Sequence, residues 1–130
     1  MGMNKKYCLF CDKTNSDEHT ILAENDVAYA RWDNFPVSKG HVEIVPKSHV
    51  ESIFDLTDNN LLAMYKLLKE ARLVIDKKYQ PDAYNIGIND GEAAGRTVHH
   101  LHIHLIPRYR GDVDDPKGGV RHIIPSRGAY

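Results

Sequence analysis

The chain is poor in cysteine and in bulky aromatics, and its charges nearly cancel. Two cysteines and one tryptophan stand among 130 residues, and 17 basic side chains meet 18 acidic ones to leave a net charge of −1. So few cysteines, with no secretory leader in view, exclude a disulfide framework as the source of stability. The near-neutral balance excludes a general nucleic-acid binder, whose footprint is a basic face. The basic residues of the C-terminal third (Arg96, Arg108, Arg110, Lys117, Arg121) read mainly as solvated surface. No apolar run approaches the roughly 20 residues that span a bilayer, and no charged–apolar–small leader opens the chain. The expectation is a cytoplasmic protein with neither membrane nor nucleic acid as a partner. Hydrophobic content of 42% and charged content of 27% suit a soluble globular fold, and this length suits one domain. Met1-Gly2-Met3 reads as a cloning remnant, which leaves a single domain over 4–130.

Alternation and turn residues outline the elements. Residues 20–23 and 27–33 read as a hairpin about a turn at Glu24-Asn25-Asp26. Val37-Ser38-Lys39-Gly40 is a turn, and 41–46 alternates as a strand. Ser48 is placed as the cap of a short helix around 50–54, and Thr57 as the cap of a long one reaching about Lys78. Leu61, Met64, Leu68, Ala71 and Ile75, widened by Leu67 and Val74, form its apolar stripe, and Pro81 forbids continuation. Residues 83–88 give another strand, 89–95 a glycine-bearing loop, and 120–125 a short strand or a docking segment. Strands joined by hairpin-like loops, with one long and one short helix, point to an α+β fold on an antiparallel sheet.

The most informative stretch is Val98-His99-His100-Leu101-His102-Ile103-His104-Leu105-Ile106-Pro107. Side chains alternate along a strand, so His100, His102 and His104 share one face at about 7 Å intervals, with Leu101, Ile103 and Leu105 on the other. Such a row reads as a surface, not a core. Three readings stay open from the pattern: a polar strand face, a metal site, or acid–base and nucleophilic chemistry near neutral pH. Cys8 and Cys11 have the two-residue spacing of half a zinc site, against the plainer reading of two small buried residues. A structural zinc needs four ligands, and spacing alone does not choose among His19, His41, His49, His99, His100, His102, His104 and His122. The small residues Gly91, Ala93, Ala94 and Gly95 leave backbone N–H groups approachable by a phosphate, or simply connect two strands.

His-Leu-His-Ile-His-Leu-Ile resembles the signature of the histidine triad (HIT) nucleotide hydrolases and transferases. Lys39 to Lys47 and Asn89 to Val98 match further segments, so the likeness runs from about Cys8 to Pro125. The resemblance implies an antiparallel HIT-like sheet with one long and one short helix, continued across a homodimer. It implies a structural zinc on Cys8, Cys11, His49 and His100, and a nucleotide substrate. His102 is then the nucleophile that becomes nucleotidylated, its tautomer held by the carbonyl of His100, with His104, if protonated, and His100 flanking the phosphate. His41 orders the triad by hydrogen bonding. Asp33 holds ribose hydroxyls, Asn89 the leaving-group side, and the Gly95, Thr97 and Val98 segment the phosphate. No catalytic metal is required by that scheme. Arg96-Thr97-Val98 before the triad and Leu105-Ile106-Pro107-Arg108 within and after it are closer to the dinucleoside polyphosphate branch. The resulting expectation is a hydrolase of diadenosine tetraphosphate-like substrates. The alternatives are a nucleoside phosphoramidase, a nucleotidyl transferase, or a non-catalytic zinc-stabilised nucleotide-binding module.

Overall fold

A computed structural model describes residues 8–12 and 20–130. The expected remnant at 1–3 and His19 lie outside the described residues. Five antiparallel strands form one sheet in the order β1-β2-β3-β5-β4. β1 is Ile21–Glu24, β2 Ala28–Trp32, β3 Val42–Pro46, β4 Ala83–Gly87 and β5 Ile103–Arg108, with α1, Asp58–Tyr79, between β3 and β4. In the first hairpin turn the Asn25 side chain accepts from the N–H of Val27 and of Ala28, an Asx turn that closes the β1–β2 pair.

α1 begins where the sequence placed it, with the Thr57 hydroxyl accepting from Asn60 N–H at 3.1 Å. It ends at Gln80, which takes a left-handed φ of 55° before Pro81. Its buried stripe is Met64, Leu67, Ala71 and Ile75. Leu67 is therefore central, while Leu61 and Val74 stay partly exposed. This stripe packs on Ala28, Ala30, Val42, Ile44, Leu101, Ile103 and Leu105, which come from one face of the three central strands and the segment before β5. Strand alternation then sends Arg31, Glu43 and His104 to the opposite face. The helix covers one side of the sheet and leaves the other for chemistry.

Three local expectations are corrected. The short helix is a 3₁₀ turn over Ile53–Asp55 capped by Ser52, whose hydroxyl accepts from Phe54 N–H, so Ser48 is not its cap. The tail forms 3₁₀ turns at Gly119–Ile123 and Pro125–Arg127 in place of a strand. Regular β-structure begins only at Ile103, so the three histidines do not lie on one exposed strand face. His100 is fully buried and His102 is 8% exposed. The chain bends there because His100 N–H turns back to Val98 O and Leu101 N–H donates to Val50 O.

Candidate active site and metal centre

β2, β3 and β5 bring the candidate residues together. Glu43 pairs in register with Arg31 on β2 and with His104 on β5, so three polar side chains form one row across the sheet. His41 immediately precedes β3, Asp33 immediately follows β2, and His102 immediately precedes β5. Gly40, at φ +87°, lets the backbone turn tightly against Tyr79, Ile75 and Pro107 on its way to His41.

The hydrogen bonds fix where each imidazole carries its proton, because a carbonyl can only accept and a backbone N–H can only donate. His102 Nδ1–H donates to the carbonyl of His100 at 2.8 Å. Its Nε2 therefore presents a lone pair. Val37 N–H donates to His41 Nδ1 at 3.2 Å, so His41 donates from Nε2 to His104 Nδ1 at 2.9 Å. His104 then holds its own proton on Nε2. Burial, helped by His102 and His41, pushes His104 down to about 4. That shift disfavours the cationic ring in the free protein, and a neutral His104 still donates through Nε2–H. Burial also lowers His41, His100 and His102 below the usual imidazole range.

Asp33 sits in the turn after β2, beside His41. Its Oδ1 accepts from Phe35 N–H at 2.7 Å, as a turn residue does, while Oδ2 lies 3.5 Å from His41 Nε2. Asn89, His41 and His104 line a cleft of about 590 Å³, whose remaining wall is mostly apolar and includes Ile86, Ile106 and Ile123. In the glycine loop the N–H groups of Ala94, Gly95 and Arg96 turn inward to Gly91 and Glu92 carbonyls. Gly95 contributes its φ of +103° there, and the loop's candidates for an anion are Thr97 and Val98. Arg96 fastens the loop by donating to the Glu51 carbonyl and carboxylate. A second cleft of about 410 Å³ lies around Asp82, Arg108 and Asp112, with no histidine among its described lining residues. Arg108 and Asp112 pair with each other there at 2.8 Å.

Cys8, Cys11, His49 and His100 converge, with ligand atoms all within 4.8 Å of one another. Cys11 Sγ lies 3.2 Å from His49 Nδ1 and 3.5 Å from His100 Nδ1, and Cys8 Sγ lies 3.4 Å from His100 Nδ1. A tetrahedral zinc with ordinary Zn–S and Zn–N bonds sets sulfur and nitrogen about 3.6 Å apart, so the donor set fits. His100 Nε2–H donates to Pro46 O at 2.8 Å, which aims the Nδ1 lone pair at the thiols. Burial and the Cys8 thiol push Cys11 up to about 11, the situation that a cation between them reverses. His99 and His122 are bound elsewhere, to Arg96 and to the Lys117 carbonyl.

The HIT domain family model matches residues 14–111. The chain belongs to the HIT family. Among its relatives, the asymmetrical bis(5'-nucleosyl)-tetraphosphatase of Schizosaccharomyces pombe is 39% identical over 80 residues, 62% of this chain and 44% of that protein. A crystal structure of a HIT family protein from Bacillus subtilis superposes with a TM-score of 0.75 at 31% identity, covering 82% of this chain and 76% of that one. A zinc-bound histidine triad family protein from Mycobacterium smegmatis gives 0.70 at 30% identity, over 81% and 77%. HIT membership makes the protein a nucleotide-processing one, and the five-stranded antiparallel sheet with one main helix is the fold of these neighbours.

Sequence reading missed Arg31 and Glu43. They form a salt bridge beneath the histidines, 3% and 5% exposed. The signal was present in His41-Val42-Glu43-Ile44: alternation puts Glu43 on the same face as His41, where a carboxylate in a central strand has no structural reason to stand alone. Phe10, edge-on to His102 with centroids 4.9 Å apart, was likewise unread.

Proposed function

We propose that the protein cleaves dinucleoside polyphosphates of the diadenosine tetraphosphate type at an α-phosphate, through a nucleotidyl-His102 intermediate. The observation that carries this reading is the His102 ring: Nδ1 is tied to the His100 carbonyl, leaving the Nε2 lone pair as nucleophile. Nε2 attacks phosphorus and the leaving group departs with the bonding pair. Water then displaces the ring and releases the nucleoside monophosphate. His104 Nε2–H, with the N–H groups of Thr97 and Val98, steadies the phosphoryl oxygens. Asp33 takes the ribose hydroxyls, Asn89 the leaving-group side, and His41 holds His104. Cys8, Cys11, His49 and His100 hold a structural zinc, which when bound ties the N-terminal turn to the segment before β5. The name of the fission-yeast relative supports the substrate class, and the zinc-bound mycobacterial neighbour supports the metal.

One observation favours a second reading, phosphoramidase or nucleotidyl transferase. The cleft beside His104 and Asn89 has no lysine or arginine among its described lining residues, whereas a polyphosphate leaving group brings several negative charges. We read the protein as a single domain over 4–130 that acts in the cytoplasm as a homodimer. The partially exposed edge strand β4, with Ile86 half exposed, is the edge along which the sheet continues into the partner. Among the described residues no helix is long and apolar enough to cross a membrane.

The test offers diadenosine tetraphosphate and adenosine phosphoramidate to the purified protein and to His102→Ala. Wild-type turnover of the first, lost by several orders of magnitude in the variant with adenosine monophosphate affinity kept, is the expected result. Fast turnover of the second alone reverses the order of the two readings. Binding without turnover of either leaves a nucleotide-binding module.

A further inference from the structure

Glu43 is a carboxylic acid in the middle of a central strand, almost wholly buried, and the chemistry above makes no use of it. One carboxylate oxygen is held by Arg31 Nη1. The other, Oε2, lies 4.0 Å from Nε2 of His102 and 4.0 Å from Nδ1 of His104. Asp33 also reaches Glu43, and His41 stands behind His104. Nδ1 of His104 already accepts a hydrogen bond from His41, whereas Nε2 of His102 bears a bare lone pair. At 4.0 Å there is no hydrogen bond between Oε2 and that nitrogen. In the resting protein the contact is therefore unrewarding, and it turns attractive only in a state where the ring is positively charged.

We propose that Glu43 is a positioning residue of the reaction centre: its carboxylate, fixed by Arg31, offsets the positive charge that the His102 ring acquires when Nε2 carries the nucleotidyl group. This rests on the reading of His102 as nucleophile. On loading, the Nε2 lone pair forms the N–P bond. The bond from phosphorus to the leaving group breaks, its electron pair departs with that group, and the group takes a proton from solvent. The ring keeps its Nδ1 proton on the His100 carbonyl and becomes an imidazolium beside the carboxylate. Water then attacks phosphorus and gives a proton to solvent, and the N–P pair returns to the ring. Before the bond forms, the same carboxylate repels the incoming phosphate. Glu43 therefore weakens ground-state binding and favours the loaded state, an interaction that raises kcat and not affinity.

Glu43→Gln separates this from a packing role, because glutamine keeps an oxygen for Arg31 and removes only the charge. At pH 8, above the titration of Glu43, single-turnover loading with whichever of the two substrates the wild type accepts is expected to slow about 10- to 100-fold. The Kd for adenosine monophosphate is expected to stay equal or tighten. Wild-type loading by the variant overturns the proposal, and so does loss of monophosphate affinity in step with the rate. Should the glutamine variant not fold, the double replacement Arg31→Met and Glu43→Met removes both charges at similar volume, and the same split is expected of it. A wild type that loads neither substrate overturns the nucleophile and Glu43 together. A loading wild type with an equally fast variant overturns Glu43 alone.

Discussion

Replacing His41 with alanine removes the contact that fixes the His104 ring. Val37 N–H, His41 and His104 form a one-way chain of hydrogen bonds at 3.2 and 2.9 Å, and its direction places the His104 proton on Nε2. The alanine variant leaves Nδ1 of a mostly buried ring without its donor. A hydrogen bond of this kind is worth about 1 kcal/mol net, and an orphaned buried acceptor costs about 1–3 kcal/mol. The preference for the Nε2–H tautomer therefore weakens by about 1–3 kcal/mol, which is about 5- to 150-fold if all of it is expressed in the transition state. We expect kcat to fall by that factor. KM should change much less, because His41 acts through His104. Steady-state kinetics gives the split, and nitrogen-15 NMR of the ring reports which nitrogen of His104 is protonated. An unchanged kcat, or a His104 tautomer that survives the loss of His41, refutes the reasoning.

Three further outcomes follow from other parts of the molecule. Purified wild type is expected to hold about one zinc per chain, and Cys11→Ser to lose it with a lower melting temperature; metal analysis finding no zinc, with both cysteines freely modifiable, removes the metal centre. Burial and Asp33 push Glu43 up to about 7 from its usual 4.5, so its contribution to stability is fully present below about 4.5 and is lost as pH rises through 7. His41 and His104, held below the usual imidazole range, contribute in the opposite sense, losing stability as pH falls from about 6.5. Glu43→Gln removes the first trend only. The variant should therefore gain on wild type by about 1–3 kcal/mol between pH 4.5 and 8, read from denaturant melts at both ends, and parallel pH profiles would contradict this. Gly40→Ala should destabilise by about 2–4 kcal/mol, because φ is +87° and the added Cβ meets Tyr79 Cδ2 at 2.9 Å; a denaturant midpoint within error of wild type would count against it.

What could be read from the sequence was whatever a local period or cap encodes. Thr57, the 3.6-residue stripe and Pro81 bound α1 to within a residue, and the Asn25 turn marks the first hairpin. The alternation of 98–107 correctly sends Ile103 and Leu105 to the helix side, yet it misplaces the histidines, because period 2 holds only while the chain is extended. The bend before Ile103 depends on Val50, some fifty residues away, and no local pattern announces a partner so remote. The same limit hid the Ser52 cap, since Ser48 and Ser52 are equal candidates until the backbone direction is known. Arg31 and Glu43 went unread for a different reason: alternation can flag Glu43, but only β2–β3 register supplies Arg31 as its partner.

His100 shows why the two halves of the site fold as one. Its ring nitrogens reach in opposite directions, Nδ1 to the Cys8 and Cys11 thiols and Nε2–H to the Pro46 carbonyl at the end of β3. Its carbonyl meanwhile accepts from His102 Nδ1. The tautomer of the candidate nucleophile is thus set by a backbone group whose position is fixed by the ring attached to it. Losing Cys11 removes one of the ring's two thiol neighbours while Cys8 and Pro46 remain, so the expected effect on the carbonyl is a loosening and not a release. Damage at the metal centre should therefore appear at the reaction centre as a disordered His102 tautomer, even though no metal-centre side chain faces the cleft beside His104. His102→Ala leaves His100 held by Pro46 and beside both thiols, so the zinc content measured for that variant should equal that of the wild type.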